Sequence, residues 1–166
     1  MIMTVAQLFR RICIFLLLPA FLIYHYFFYV DFAYGCRITI TPSFFEWNNT
    51  LMKQALKGLK RASPEDYQEI CRNVHIINPN PSLCGTYGGG CFYPPQEFLK
   101  SDGRTIFIST YHGDLSLTMA VIVHETCHVI QYQEKRGLSE GECYAKDDRI
   151  LRNIVMLDAL DETKKP

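Results

Sequence analysis

The sequence predicts a small α+β domain behind an N-terminal membrane-spanning helix. Three observations carry that expectation. Residues 12–30 contain no Asp, Glu, Lys or Arg. The remainder mixes amphipathic stretches at helical spacing with short β-branched runs. A chain of 166 residues has room for one domain with a real core.

The apolar run ICIFLLLPAFLIYHYFFYV fits a helix crossing a hydrocarbon core, which takes about 20 such residues. Arg10 and Arg11 stand before it, so residues 1–11 are expected in the cytoplasm and the rest of the chain outside. A cleaved signal is the alternative, but Phe32-Ala33-Tyr34-Gly35-Cys36 makes a poor cleavage site. Residues 31–45 then read as a linker, 46–160 as the folded domain and 161–166 as a solvated tail. Cys13 lies in the apolar run, and six cysteines follow: Cys36, Cys71, Cys84, Cys91, Cys127 and Cys143. An even set outside the cytoplasm suits disulfide bonding, with the pairing open. Cys127 and Cys143 could tie two helices together. Lys+Arg and Asp+Glu number 17 each, and that balance argues against a nucleic-acid partner, which needs a basic face.

Residues 46–61 place Trp47, Leu51, Ala55, Leu56 and Leu59 on one helical face. Ser63-Pro64-Glu65-Asp66 starts a second helix, with Ser as cap, Pro at the first position and acids in the first turn. Val74–Ile77 reads as a strand stopped by Asn78-Pro79-Asn80-Pro81. Gly85 to Gly90 reads as a flexible turn near the cleft, since no Lys-Ser/Thr follows to make it a phosphate loop. Residues 104–110, RTIFIST, are a strand. Asp114 caps a long helix over 115–135, apolar on nearly every side and hence buried, which Gly137 stops. A last helix starts near Ser139 and runs through Leu157.

The chemistry sits on the buried helix, which reads HETCH at 124–128. Positions four apart share one face, about 5–6 Å apart at Cβ. His124 and His128 can therefore bind one Zn2+, each at about 2.0–2.1 Å. Glu125 points to an adjacent face, where it can act as general base. Zinc lowers the pKa of a bound water toward about 7, and the carboxylate takes its proton as it attacks a carbonyl. Buried imidazoles and a buried acid each need a partner, which an ordinary core helix does not supply.

HETCH, with the apolar TMAVIV before it and VIQYQ after it, resembles the His-Glu-x-x-His signature of the zincin metallopeptidases. No histidine follows the motif. A third ligand would then be a carboxylate on the next helix, as in the gluzincins and the compact minigluzincins. Glu142 followed by Ala145 looks like their Glu-x-x-Ala arrangement; Glu140 is the alternate. The resemblance covers roughly residues 74–158. It implies a short sheet packed on the active-site helix and on a following Glu-bearing helix, with RTIFIST as the strand beside the cleft. Asp147 or Asp148 would orient a ligand histidine. Tyr111, His112, Tyr132 and Tyr144 are candidate oxyanion donors. The implied activity is membrane-anchored, extracytoplasmic, zinc-dependent hydrolysis of peptide bonds in a protein or peptide substrate. Two other readings use the same residues: a scaffold of this fold with little turnover, and a zinc hydrolase acting on a non-peptide amide.

Overall fold

The computed structural model describes residues 17–19, 24, 26–41, 49–79, 84, 89–95, 102–110 and 113–162. Across them the chain forms β1 (Phe28–Asp31), a 3-10 turn (Phe32–Tyr34), β2 (Cys36–Ile40), α1 (Asn49–Ala62) and α2 (Pro64–Asn73). Then come β3 (Ile76–Pro79), β4 (Gly90–Phe92), β5 (Thr105–Ile108), α3 (Leu115–Gln133) and α4 (Glu140–Glu162). The expected α+β class holds. The strands make one mixed sheet in the order β1-β2-β3-β5-β4. The β2–β3 and β3–β5 pairs are parallel, and the two outer pairs are antiparallel.

The two outermost strands on one side revise the expected boundaries. Phe28–Val30, the end of the expected span 12–30, belong to β1, which pairs with β2 from Phe28↔Thr39 to Asp31↔Cys36. The expected linker 31–45 therefore contains β2. Its Cys-Arg-Ile-Thr-Ile pattern alternates buried with more exposed positions, the two-residue period of a strand. Most of the span (12–16, 20–23 and 25), like residues 1–11, lies outside the described residues. Among those described, no helix is long and apolar enough to cross a membrane.

The core joins sheet and helices. Ile38, Ile40, Ile77, Ile106 and Ile108 from the strands are fully buried with Met52, Leu56 and Leu59 of α1, Ile70 of α2 and Ile122 of α3. Burying each such side chain stabilises the fold by about 1.5–3 kcal/mol. All four residues of β5 are buried, as expected of a strand flanked on both sides. α3 packs against α1, α2, α4, β4 and β5. Its approach to α1 depends on Gly58, where a Cβ would come within 2.7 Å of Met119 Sδ.

The termini of α3 show local sequence at work. Asp114 caps it by accepting from Leu117 N at 2.8 Å. The other end comes earlier than 135. Lys135, not Gly137, adopts the left-handed conformation, at φ 55°. Bonds from Lys135 N to Tyr132 O and from Arg136 N to Gln131 O close the helix as a Schellman motif. α2 does begin at Ser63-Pro64, but the Ser63 hydroxyl donates to the Asp66 carboxylate instead of capping the backbone.

Three disulfides settle the cysteine pairing: Cys36–Cys71, Cys84–Cys91 and Cys127–Cys143. The first joins β2 to α2, and the third clamps α3 to α4. Lys146–Glu69 at 2.8 Å and Arg149–Asp66 at 2.6 Å add ion pairs between α4 and α2. α4 is thus held from two sides at its N-terminal half.

Candidate metal centre

His124 and His128 lie one turn apart on α3, both largely buried, and their Nε2 atoms are 3.2 Å apart. Glu140, the first residue of α4, brings Oε2 to 3.2 Å from His124 Nε2 and 3.4 Å from His128 Nε2. These three side chains form a group that could hold a metal ion.

The outer ring nitrogens decide what the inner ones can do. His124 Nδ1 is 2.9 Å from Asp147 Oδ2, an acceptor, so Nδ1 carries the hydrogen. His128 Nδ1 is 3.2 Å from the Gln131 amide oxygen, also an acceptor. Both Nε2 atoms, left without hydrogen, then stand within 3.4 Å of a carboxylate oxygen, an arrangement that a central cation stabilises. Donors held at about 2.0–2.1 Å around a tetrahedral ion stand about 3.3 Å from one another. The triangle, with sides of 3.2, 3.2 and 3.4 Å, matches that spacing.

The cluster lines an open cleft of about 500 Å³ together with Gly89, Gly90 and Phe92 on one wall and Leu117, Leu138 and Tyr144 at other positions. Glu125 faces the same cleft and is only 4% exposed. Burial, and secondly the charge of Glu140, push its pKa up to about 8. The backbone of β4 lies directly over it. A Cβ on Gly90 would stand 2.6 Å from Glu125 Cγ and from Val121 Cγ1, and 2.9 Å from Glu125 Oε1. Gly90→Ala should therefore displace Glu125 and destabilise the domain by about 1–3 kcal/mol, the usual range for overpacking. Denaturant unfolding measures the cost; an unchanged midpoint would show that β4 yields freely.

Glu142, the expected third ligand, is elsewhere. Its carboxylate takes two bonds from Arg136, at 2.8 and 3.2 Å, and one from Gln131 Nε2 at 3.0 Å. Arg136 first and Gln131 second hold its pKa down at about 2. Two positions apart on a helix means about 200° around its axis, so both acids cannot face one ion. Glu140, the alternate, is the acid that joins the two histidines in the group that could hold a metal ion. Glu140→Gln should weaken zinc binding by more than about 100-fold, while Glu142→Gln should change it by less than about 10-fold. Competition with a chromogenic chelator would separate the two, and the reverse order would restore Glu142.

Other expectations fall out by position. Of the two aspartates, Asp147 orients a histidine. Tyr144 lines the cleft with its ring 4.7 Å from that of His124, whereas Tyr132 packs on Phe92 at 5.6 Å. Tyr111 and His112 lie outside the described residues. RTIFIST does not line the cleft: among the described strands β5 lies between β3 and β4, and β4, at the end of the sheet, lines it. Part of the glycine-rich turn, Gly89 and Gly90, does border the cleft.

No family model, curated protein or solved structure matches this chain.

Proposed function

We propose that this chain is a zinc-dependent peptidase of zincin type, with His124, His128 and Glu140 as ligands and Glu125 as general base. One observation carries the reading: the three-donor cluster shares its cleft with a buried carboxylate that is not part of the cluster. A site holding metal only for stability has no use for such an acid. Two imidazoles and a carboxylate, leaving a fourth position for water or substrate, suit catalytic zinc.

Bound there, the ion would act as a Lewis acid on the scissile carbonyl and on the attacking water. Glu125 takes the water's proton on a carboxylate oxygen as the O–C bond forms, then passes it to the leaving nitrogen as the C–N bond breaks. His124 and His128 are held for this by Asp147 and Gln131. An extended peptide laid along β4 could pair with its backbone, which favours a protein or peptide substrate over a small amide. Three disulfides suit an oxidising compartment, and the uncharged run before Phe28 suits an anchor; we place the domain outside the cytoplasm at a membrane.

The test is cleavage of a peptide library by the full zinc-loaded chain, read by mass spectrometry, with a chelator-treated control. Metal-dependent cleavage supports the proposal. A zinc-loaded, folded protein that cuts nothing would favour the scaffold reading instead.

A further inference from the structure

Gln131 is fully buried on α3, three residues after His128. Its side-chain amide uses its whole hydrogen-bonding capacity, two donors and two acceptor sites. Nε2 donates to Ser139 O at 3.2 Å and to Glu142 Oε2 at 3.0 Å. Oε1 accepts from Ser139 N at 3.0 Å and faces His128 Nδ1 at 3.2 Å. The Ser139 backbone fixes which way round the amide sits, because its N–H needs the oxygen and its carbonyl needs the nitrogen. A flipped amide would set donor against donor at Ser139 N and acceptor against acceptor at both Ser139 O and Glu142.

Two consequences meet at the cleft. With the amide oxygen held toward His128, Nδ1 of that ring must carry the hydrogen, leaving the Nε2 lone pair inward. The disulfide sulfur of Cys143, 3.6 Å from the same Nδ1, is a further weak acceptor and asks for the same tautomer. Ser139 is also the residue before Glu140, so the paired bonds pin the backbone where α4 begins. Arg136, which holds Glu142 in place, completes the chain of contacts.

We infer that Gln131 is the positioning residue of the site, one side chain that sets the tautomer of His128 and anchors the start of the helix carrying Glu140. Its amide is neither one of the three donors nor part of the cleft lining. The inference rests on the metal-centre reading above, and goes beyond it by naming what aligns ligands drawn from two helices.

The experiment uses the full chain in three measurements. The first is zinc affinity of the wild type by chelator competition. The second is the tautomer of His128 in the metal-free wild type at alkaline pH, from long-range 15N–1H NMR. The third is zinc affinity of Gln131→Met, which keeps the side chain's length and removes every bond. We expect hydrogen on Nδ1, tight zinc binding by the wild type, and a loss of about 10–100-fold in Gln131→Met, the scale on which supports of metal ligands act. Hydrogen on Nε2 in the metal-free wild type would overturn the inference, even if Gln131→Met failed to fold. So would a folded Gln131→Met that binds zinc as tightly as the wild type. A wild type that binds no zinc would instead overturn the metal-centre reading, and the inference with it.

Discussion

His128→Ala is expected to take the protein from about one zinc per chain to near none. The reason lies in how few donors the site has. His124, His128 and Glu140 supply all three protein atoms of the triangle, and no fourth His, Cys, Asp or Glu among the described residues joins that group. Removing a residue that merely supports a ligand costs about 10–100-fold in metal affinity, so removing a ligand itself should cost more. The buried helix offers no replacement: Cys127 is in a disulfide, and Gln131 is committed to Ser139 and Glu142. Metal analysis after dialysis gives the result directly, and circular dichroism shows whether the helix survives. A His128→Ala protein that keeps stoichiometric zinc would place the metal elsewhere.

Glu125→Gln should have the opposite signature, with metal retained and turnover lost. Its carboxylate is outside the triangle, so the zinc content should stay at about one per chain. The amide nearly matches the carboxylate in shape, which matters where the backbone of Gly90 lies so close above. On the proposed mechanism, what disappears is the proton acceptor. General-base catalysis contributes about 10²–10⁴-fold, and kcat should fall by that factor with KM little changed. Loss of zinc together with activity would recast Glu125 as a structural support. Undiminished turnover would remove it from the chemistry.

Much of this was legible in the chain because it depends on local spacing. HETCH lies on one buried helix, and a period of 3.6 residues alone puts His124 and His128 on one face. Asp114 announced the start of that helix, and Ser63-Pro64 the start of α2. Cys127 and Cys143 could be read as tying two helices together, although the pairing of the six cysteines stayed open. β2 could also have been read, from the alternation in Cys-Arg-Ile-Thr-Ile, had the preceding apolar run not suggested a linker there. β1 gave no such signal, since its Phe28, Tyr29 and Val30 continue that run without a break.

Which acid joins the two histidines was a different kind of question. Glu140 and Glu142 are both in the first turn of α4, and only the Glu-x-x-Ala likeness of Glu142 with Ala145 set them apart in the sequence. The docking of α4 separates them: the Cys127–Cys143 bond and the ion pairs to Glu69 and Asp66 turn Glu140 toward the histidines. Arg136 and Gln131 then claim Glu142 on the other side. The same holds for Gly90, distant in sequence from Glu125 yet stacked on it by the pairing of β4 with β5. By itself the sequence determined the helix and its two imidazoles beside a carboxylate, because those follow from one element's own periodicity. The acid that joins the histidines, the strand that lines the cleft and the bonds of Gln131 were decided only by the tertiary structure, because each depends on the rotation and register of one element against another.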